Sequence, residues 1–163
     1  GLIIKFSFST PSQEKAKKIE PQAASPAARF HALRQLSEKG IYCGVLYCPI
    51  LPFLTDSVAE VQQMVAYAKE AGAKFIYPYW GITLRDRQRD YFYAQLDHHY
   101  PGLRTRYAQT YGSAYACGCP QASNLQQVFQ QACKKNGLLY RMADIIDGYR
   151  QKIPAVEQIT LFK

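Results

Sequence analysis

The sequence has no long apolar run and no regular cysteine pattern. No stretch approaches the roughly 20 apolar residues of a membrane-spanning helix, so we expect no membrane association. No signal peptide opens the chain, and its five cysteines are odd in number and irregularly spaced, which argues against a secreted disulfide framework. These absences favour a cytoplasmic protein.

The charge of the chain is unbalanced toward the basic side. Twenty Lys and Arg residues face twelve Asp and Glu residues, which gives a formal net charge of +8. An excess of this size favours an anionic partner such as nucleic acid or phosphate, and a basic surface without a specific ligand is the alternative. The length of 163 residues suits one domain or a large fragment of a bigger protein.

The first half of the chain alternates between strand-like and helix-like segments. Strands and helices are predicted in the order β–α–β–α–β at 2–10, 26–39, 41–50, 57–71 and 73–80. Ser25 is a good N-cap for the first helix, and Ser57 and Glu60 have the capping-box spacing for the second. Crossovers of helix length imply parallel strands.

The second half is helical by the same criteria. Helices are predicted at 86–99, 101–111, 121–136 and 138–150. Ser123 and Gln126 have capping-box spacing near the start of the third of these helices. The sequence therefore predicts an α/β unit at 1–84, a helical region at 85–152 and a tail at 153–163.

Small hydroxyl side chains stand near the end of the first predicted strand, at Ser7, Ser9 and Thr10. Ligands of parallel α/β folds bind beyond the carboxyl ends of the strands. These groups suit a polar ligand with ribose and amino-acid portions. The alternative is that Ser9 and Thr10 only begin a turn.

Four segments resemble the radical S-adenosylmethionine (SAM) proteins similar to spore photoproduct lyase, which are often labelled DNA repair photolyases. They are FSFST at 6–10, IEPQAASPAARFHAL at 19–33, LSEKGIYCGVLYCPILPFLTD at 36–56 and AKEAGAKFIY at 68–77. The most specific features are Glu20-Pro21, Pro26, Arg29 and the pattern Pro-x-x-Pro-x-x-Thr-Asp at 49–56. The resemblance covers about half the chain.

The resemblance implies a partial (β/α) barrel of six strands, of which the three predicted strands would be the fourth to the sixth. It implies a [4Fe–4S] cluster that cleaves SAM to a 5′-deoxyadenosyl radical, and this radical abstracts hydrogen from the substrate. By the same resemblance, Ser7 and Ser9 would face SAM. Glu20 and Arg29 would bind its amino-acid portion, or would pair with each other to fix the connector.

The departure from the family lies in the cysteines. The superfamily holds its cluster with Cys-x3-Cys-x2-Cys after the first strand, a spacing that none of the five cysteines shows. The resemblance thus implies the carboxyl-terminal part of an enzyme, without cluster ligands and without the first three strands, and we expect the isolated chain to hold no cofactor and to cleave no SAM. Its first strand would be an open edge, covered by a dimer partner or by a segment such as 159–162.

The cysteines and histidines predict no metal site. Cys117 and Cys119 precede a predicted helix whose N-terminus would lower a thiol pKa, but two ligands do not make a closed zinc site. The adjacent His98 and His99 point in different directions on a helix and are interpreted as surface or packing residues. No catalytic residue can be assigned.

The segment from Tyr77 to Tyr115 holds eight of the thirteen tyrosines, interleaved with arginines. This mixture suits stacking on bases and contact with phosphates, and the alternative is the core of a helical cap. The candidate contacts are Tyr77, Tyr79, Trp80, Arg85, Arg87 and Arg89.

The favoured function is a radical SAM enzyme of unknown substrate, with DNA as one candidate substrate. The alternatives are a basic nucleic-acid-binding module or an α/β enzyme for a phosphorylated metabolite.

Overall fold

Three strands pair in parallel in the order in which they occur along the chain. The computed structural model describes residues 2–150, apart from the side chain of Asp86. The strands are β1 (Ile3–Phe8), β2 (Tyr42–Tyr47) and β3 (Phe75–Pro78). Ile3 lies opposite Tyr42, and Gly44 lies opposite Phe75. The three predicted strands and their parallel pairing are therefore confirmed.

The close approach of β2 and β3 depends on a glycine. A Cβ atom built on Gly44 would lie 2.4 Å from the carbonyl oxygen of Phe75 and 2.7 Å from its ring. A side chain here would clash with the backbone of β3, because the two strands cannot separate without breaking their ladder. Gly44 thus allows the Phe75 ring to lie directly over the sheet.

Helices connect the strands as predicted. The first connection holds α1 (Gln13–Ile19) and α2 (Pro26–Glu38), and the second holds α3 (Val58–Glu70). The Ser25 hydroxyl accepts a hydrogen bond from the backbone N–H of Ala28, and the Ser57 hydroxyl accepts one from that of Glu60. Both N-caps are confirmed.

The Glu60 side chain does not complete the predicted capping box at α3, so this part of the prediction is wrong. The carboxylate of Glu60 accepts hydrogen bonds from the Thr10 hydroxyl at 3.1 Å and from the Lys15 ammonium. Glu60 is 8% exposed. A buried carboxylate needs strong partners, and it finds them just after β1 and in the first turn of α1 instead of at its own helix terminus.

Residues 81–118 leave the sheet and return to it, and we call this segment the helical excursion. It contains β4 (Gly81–Thr83), α4 (Asp86–His99), α5 (Leu103–Tyr111) and β5 (Ala116–Gly118). β4 and β5 pair antiparallel, with Gly81 opposite Gly118. The two helices agree with the prediction, whereas the two short strands were not predicted. A separate apolar cluster forms inside the excursion around the buried side chains of Leu84, Leu96, Tyr107 and Cys117.

After the excursion the chain packs back against the sheet. α6 (Ala122–Asn136) buries Leu125, Phe129 and Cys133 in the same core as Val61 and Val65 of α3. The predicted units 1–84 and 85–152 therefore share a core, although the boundary itself stays a prediction. Residues 2–150 form a mixed α/β structure with seven helices and a three-stranded parallel sheet.

Two details of the last helices differ from the prediction. Gln121 is the N-cap of α6, so Ser123 lies inside the first turn, and the Gln126 side chain accepts a hydrogen bond from the Trp80 indole. The final helix, α7, covers Met142–Arg150 and starts later than predicted. Leu139 forms a parallel bridge with Phe75 instead, because the outer side of β3 offers free backbone groups.

Within residues 2–150, β1 is an edge strand with β2 as its only neighbour. The suggested covering segment at 159–162 lies outside the described residues, so the expectation of a partner or cover for this edge stays a prediction. None of the helices in this part of the chain has the length and apolar character needed to cross a bilayer.

Candidate functional site

A cavity of about 330 Å³ opens at the carboxyl ends of β1 and β2. Volumes of this size are typical of small-molecule sites, and this position is where parallel α/β folds bind ligands. One wall consists of residues from the strand ends, the loop after β2 and the end of α1. These residues are Ser7, Phe8, Ser9, Lys18, Ile19, Glu20, Cys48, Pro49, Leu51 and Leu54.

The opposite wall comes from the helical excursion. Ile82 and Leu84 line the cavity near β4, and α4 contributes one complete face. The α4 residues are Gln88, Tyr91, Phe92, Gln95, Leu96 and His99. They recur every three or four positions, which is the spacing of one helix face. Sequence reasoning missed this wall, and it assigned His99 to the surface or to packing, although the period of the stripe was a usable signal.

The four residues predicted to bind SAM lie together at the end of β1. The Ser9 hydroxyl donates a hydrogen bond to Glu20 Oε1 at 2.7 Å. Arg29 Nη2 lies 3.0 Å from Glu20 Oε2, which forms an ion pair. Arg29 also donates to the backbone carbonyls of Ser7 and Ala24, each at 2.6 Å. Ser7, Ser9 and Glu20 line the cavity. Arg29 is not among the lining residues and holds this group through Glu20 and the Ser7 carbonyl.

The pairing of Glu20 with Arg29 was the structural alternative in the prediction, and it is present. The side chain of Arg29 is 11% exposed and that of Glu20 is 26% exposed. The guanidinium fixes the connector between α1 and α2 and holds the carboxylate at the cavity wall. A carboxylate held in this way can accept a hydrogen bond from an ammonium group or a ribose hydroxyl.

A second polar network lies behind the loop that follows β2. Lys15 donates to the carbonyl of Leu54 at 2.7 Å and to the Glu60 carboxylate, which also accepts from Thr10. The Thr55 hydroxyl accepts a hydrogen bond from the backbone N–H of Leu51 at 2.8 Å. These bonds fix Leu51 and Leu54, two apolar side chains of the cavity wall.

The cysteines do not form a reactive or metal-binding group. Burial raises the pKa of the Cys119 thiol to about 12 and raises that of Cys117, so the expected lowering of a thiol pKa is wrong. Cys48 lines the cavity, and burial raises the pKa of its thiol too. Among residues 2–150, no three His, Cys, Asp or Glu side chains are grouped in a way that could hold a metal ion.

The arginine and tyrosine segment divides into packed and exposed residues. Four of its tyrosines pack into the core of the helical excursion: Tyr93, Tyr100, Tyr107 and Tyr111. Trp80 donates to Gln126 and packs against Phe129. Arg89 donates four hydrogen bonds to backbone carbonyls, those of Leu84, Gly112, Ser113 and Ala114. The exposed candidates are Tyr77, Tyr79, Arg85 and Arg87.

The chain is similar to proteins whose functions are not described. It is 29% identical over 108 residues to the uncharacterized protein Rv2578c of Mycobacterium tuberculosis and, to the same extent, to the uncharacterized protein Mb2609c of Mycobacterium bovis. Each alignment covers 66% of this chain and 32% of the relative. The uncharacterized protein ORF301 of Acidianus two-tailed virus is 35% identical over 66 residues, which are 39% of this chain and 22% of that protein.

The aligned part of the chain thus spans about a third of the length of its mycobacterial relatives. No protein-family profile matches it, and no solved structure matches it.

Proposed function

We propose that this chain is the carboxyl-terminal part of a radical SAM enzyme similar to spore photoproduct lyase, and that its cavity binds part of SAM. In this proposal β1, β2 and β3 are the fourth to sixth strands of a partial (β/α) barrel. The observation that carries it is the convergence of Ser7, Ser9, Glu20 and Arg29 at one strand end beside the cavity. A parent protein about twice as long as this chain, like the relatives, has room for the missing strands.

The groups that line the cavity are compatible with part of SAM. Glu20 offers a carboxylate for an ammonium group or a ribose hydroxyl, and Leu51, Leu54 and Leu84 offer apolar surface for an adenine ring. When bound in such an enzyme, SAM supplies the radical that abstracts hydrogen from the substrate. The residues of this chain would bind and orient it, while α4 would exclude water from the cavity.

The cysteines of this chain do not fit an iron–sulfur cluster. All five cysteines fall within residues 2–150, at spacings unlike the triad that the family uses, and four of them are buried in the cores. The thiolates for a cluster would have to come from another part of the complete protein. The role proposed for this chain is therefore to bind SAM and to cover it.

Filling the cavity beside Ser7 should weaken SAM binding. In the complete protein that contains this chain, Ser7→Phe is expected to raise the dissociation constant for SAM by tenfold or more, because the ring would occupy ligand space at the end of β1. The side chain of Ser7 is exposed, so the fold should tolerate the change. Isothermal titration calorimetry measures the affinity, and urea unfolding checks the fold.

The matched control is Ser123→Phe, which places the same ring on an exposed position of α6 away from the cavity. Its SAM affinity should equal that of the parent protein. Equal affinities for Ser7→Phe, Ser123→Phe and the parent would contradict the proposal. Production of 5′-deoxyadenosine by the reduced, reconstituted protein is the second readout, and its absence would also contradict it.

A nucleic-acid ligand is the second candidate function, favoured by the exposed side chains of Arg85 and Arg87 near the start of α4. Tyr91 of α4 lines the cavity and is 64% exposed, so its ring is accessible for stacking on a base. The double change Arg85→Glu and Arg87→Glu is expected to weaken binding to single-stranded DNA by tenfold or more. It should also reduce the salt slope by roughly two, since each phosphate contact contributes about one.

The control for this test is Lys134→Glu with Lys135→Glu, which changes the net charge equally on the exposed end of α6. Fluorescence anisotropy at several salt concentrations measures both double variants. A similar loss in the two would indicate a general charge effect, and no binding by the parent chain at low salt would rule the function out.

A further inference from the structure

Tyr100, a residue of the cavity wall, has a buried hydroxyl without a hydrogen-bond partner among residues 2–150. The residue is the C-cap of α4. A buried hydroxyl without a partner destabilises a fold, so such a group calls for an explanation. Burial raises the pKa of Tyr100, so the hydroxyl stays protonated at neutral pH and can donate a hydrogen bond.

Lys18 stands beside Tyr100 in the same cavity. Its ammonium nitrogen lies 5.6 Å from the centre of the Tyr100 ring. It also pairs with Glu14 at 3.0 Å, but Glu14 is 81% exposed, and exposed pairs of this kind contribute little. The ammonium can therefore turn toward a ligand at small cost.

Two cations lie near the Tyr100 hydroxyl, and each of them also has a carboxylate partner. After burial, the strongest influences on the pKa of Tyr100 are Lys18 and then Lys15, which lower it, ahead of Glu14 and Glu60, which raise it. A hydrogen-bond donor and a cation thus belong to two neighbouring residues that line the cavity.

We propose that Tyr100 and Lys18 form a subsite for an oxyanion, namely a carboxylate or a phosphate group of a ligand in the cavity. Tyr100 donates a hydrogen bond through its hydroxyl, and Lys18 supplies the compensating charge. His99 lies on the same wall and limits the subsite on the α4 side. The inference deepens the proposed function: it rests on the cavity being the ligand site, and it predicts that the bound ligand carries an anionic group.

The test uses inorganic phosphate and acetate as probes of the 163-residue chain. Each is titrated at constant ionic strength, and binding is followed by the chemical shifts of the Lys18 and Tyr100 backbone amides. At least one of the two probes should bind, and the stronger probe identifies the anion that the subsite prefers. The change Tyr100→Phe removes only the hydroxyl and should weaken that binding by roughly tenfold, and Lys18→Gln should do the same.

Two matched controls separate binding from structure. Tyr93→Phe removes the other buried hydroxyl that lacks a partner in the described part of the chain, but Tyr93 does not line the cavity, so this variant should bind like the parent. Lys17→Gln removes the neighbouring exposed charge on α1 and should also bind like the parent. The midpoint of thermal unfolding should not fall in Tyr100→Phe, because that hydroxyl has no partner to lose.

The outcomes are distinct. Binding that is lost in Tyr100→Phe and retained in Tyr93→Phe supports the subsite. Failure of both probes to bind, or equal binding by all variants, overturns it. SAM affinity measured on Ser7→Phe tests the proposed function separately, so the subsite can stand if SAM does not bind, and SAM can bind if the subsite fails.

Discussion

Replacing Arg29 with Leu is expected to lower the free energy of unfolding by about 2–4 kcal/mol. The guanidinium joins three acceptors: the Glu20 carboxylate and the carbonyls of Ser7 and Ala24. Its removal leaves these groups without their partner, although the Ser7 and Ala24 carbonyls belong to exposed residues that water can reach. Because Glu20 is 26% exposed, water would compensate for part of the loss, and the value should stay below that for a fully buried pair.

Urea unfolding of the 163-residue chain measures this effect. Arg29→Lys keeps the charge but cannot reach three acceptors with a planar fork, so it should recover less than half of the loss. Arg34→Leu is the matched control, since Arg34 is exposed on the same helix, and it should change the free energy by less than about 0.5 kcal/mol. Equal effects at the two positions would show that the network at the end of β1 contributes nothing to stability.

Replacing Phe53 with Ala is expected to lower the free energy of unfolding by about 2–3 kcal/mol. Phe53 follows β2 in the loop and inserts its ring into the cluster of the helical excursion. The ring meets Tyr107 edge to face at 5.6 Å and lies 3.9 Å from the Arg106 guanidinium carbon. The partial exposure of Phe53 places the expected loss below the usual range for a fully buried phenylalanine.

Phe53→Gly should be less destabilising than Phe53→Ala by roughly 1 kcal/mol, which reverses the usual order. The reason is the backbone of Phe53, whose φ of +63° is left-handed and favours glycine. Leu54 provides the matched control, because its backbone lacks a positive φ, and there Gly should be the more destabilising replacement. The same order of Ala and Gly at both positions, measured by urea unfolding, would contradict the left-handed assignment.

Local signals made the sheet and most helices predictable from the sequence. Ser25 and Ser57 act on N–H groups three residues away, and the short apolar strands differ clearly from the helices between them. The parallel order then follows from connections of helix length. β4 and β5 gave no such signal because three residues cannot establish an alternating pattern.

The features that were missed depend on residues far apart in the sequence. Gln126 has capping-box spacing to Ser123, but its side chain binds Trp80, which is 46 residues away. The position of Cys119 before a helix suggested an acidic thiol, whereas its burial beside the Ile50 carbonyl raises the pKa. The cavity face of α4 recurs at helical spacing, but it mixes glutamine, histidine and aromatic residues, so hydropathy alone does not distinguish it from the other faces of the helix.

The pairing of β4 with β5 places the two ends of the helical excursion side by side, with Gly81 directly opposite Gly118. A segment whose ends meet in this way can change in length and composition while the strands before it and α6 after it keep their positions. One cavity wall is therefore formed by the sheet, while the other lies on a hairpin of two helices that is closed by β4 and β5. Related chains could acquire new ligand preferences by exchanging residues 81–118, provided that the new hairpin keeps the contacts of Tyr107 with Pro52 and Phe53.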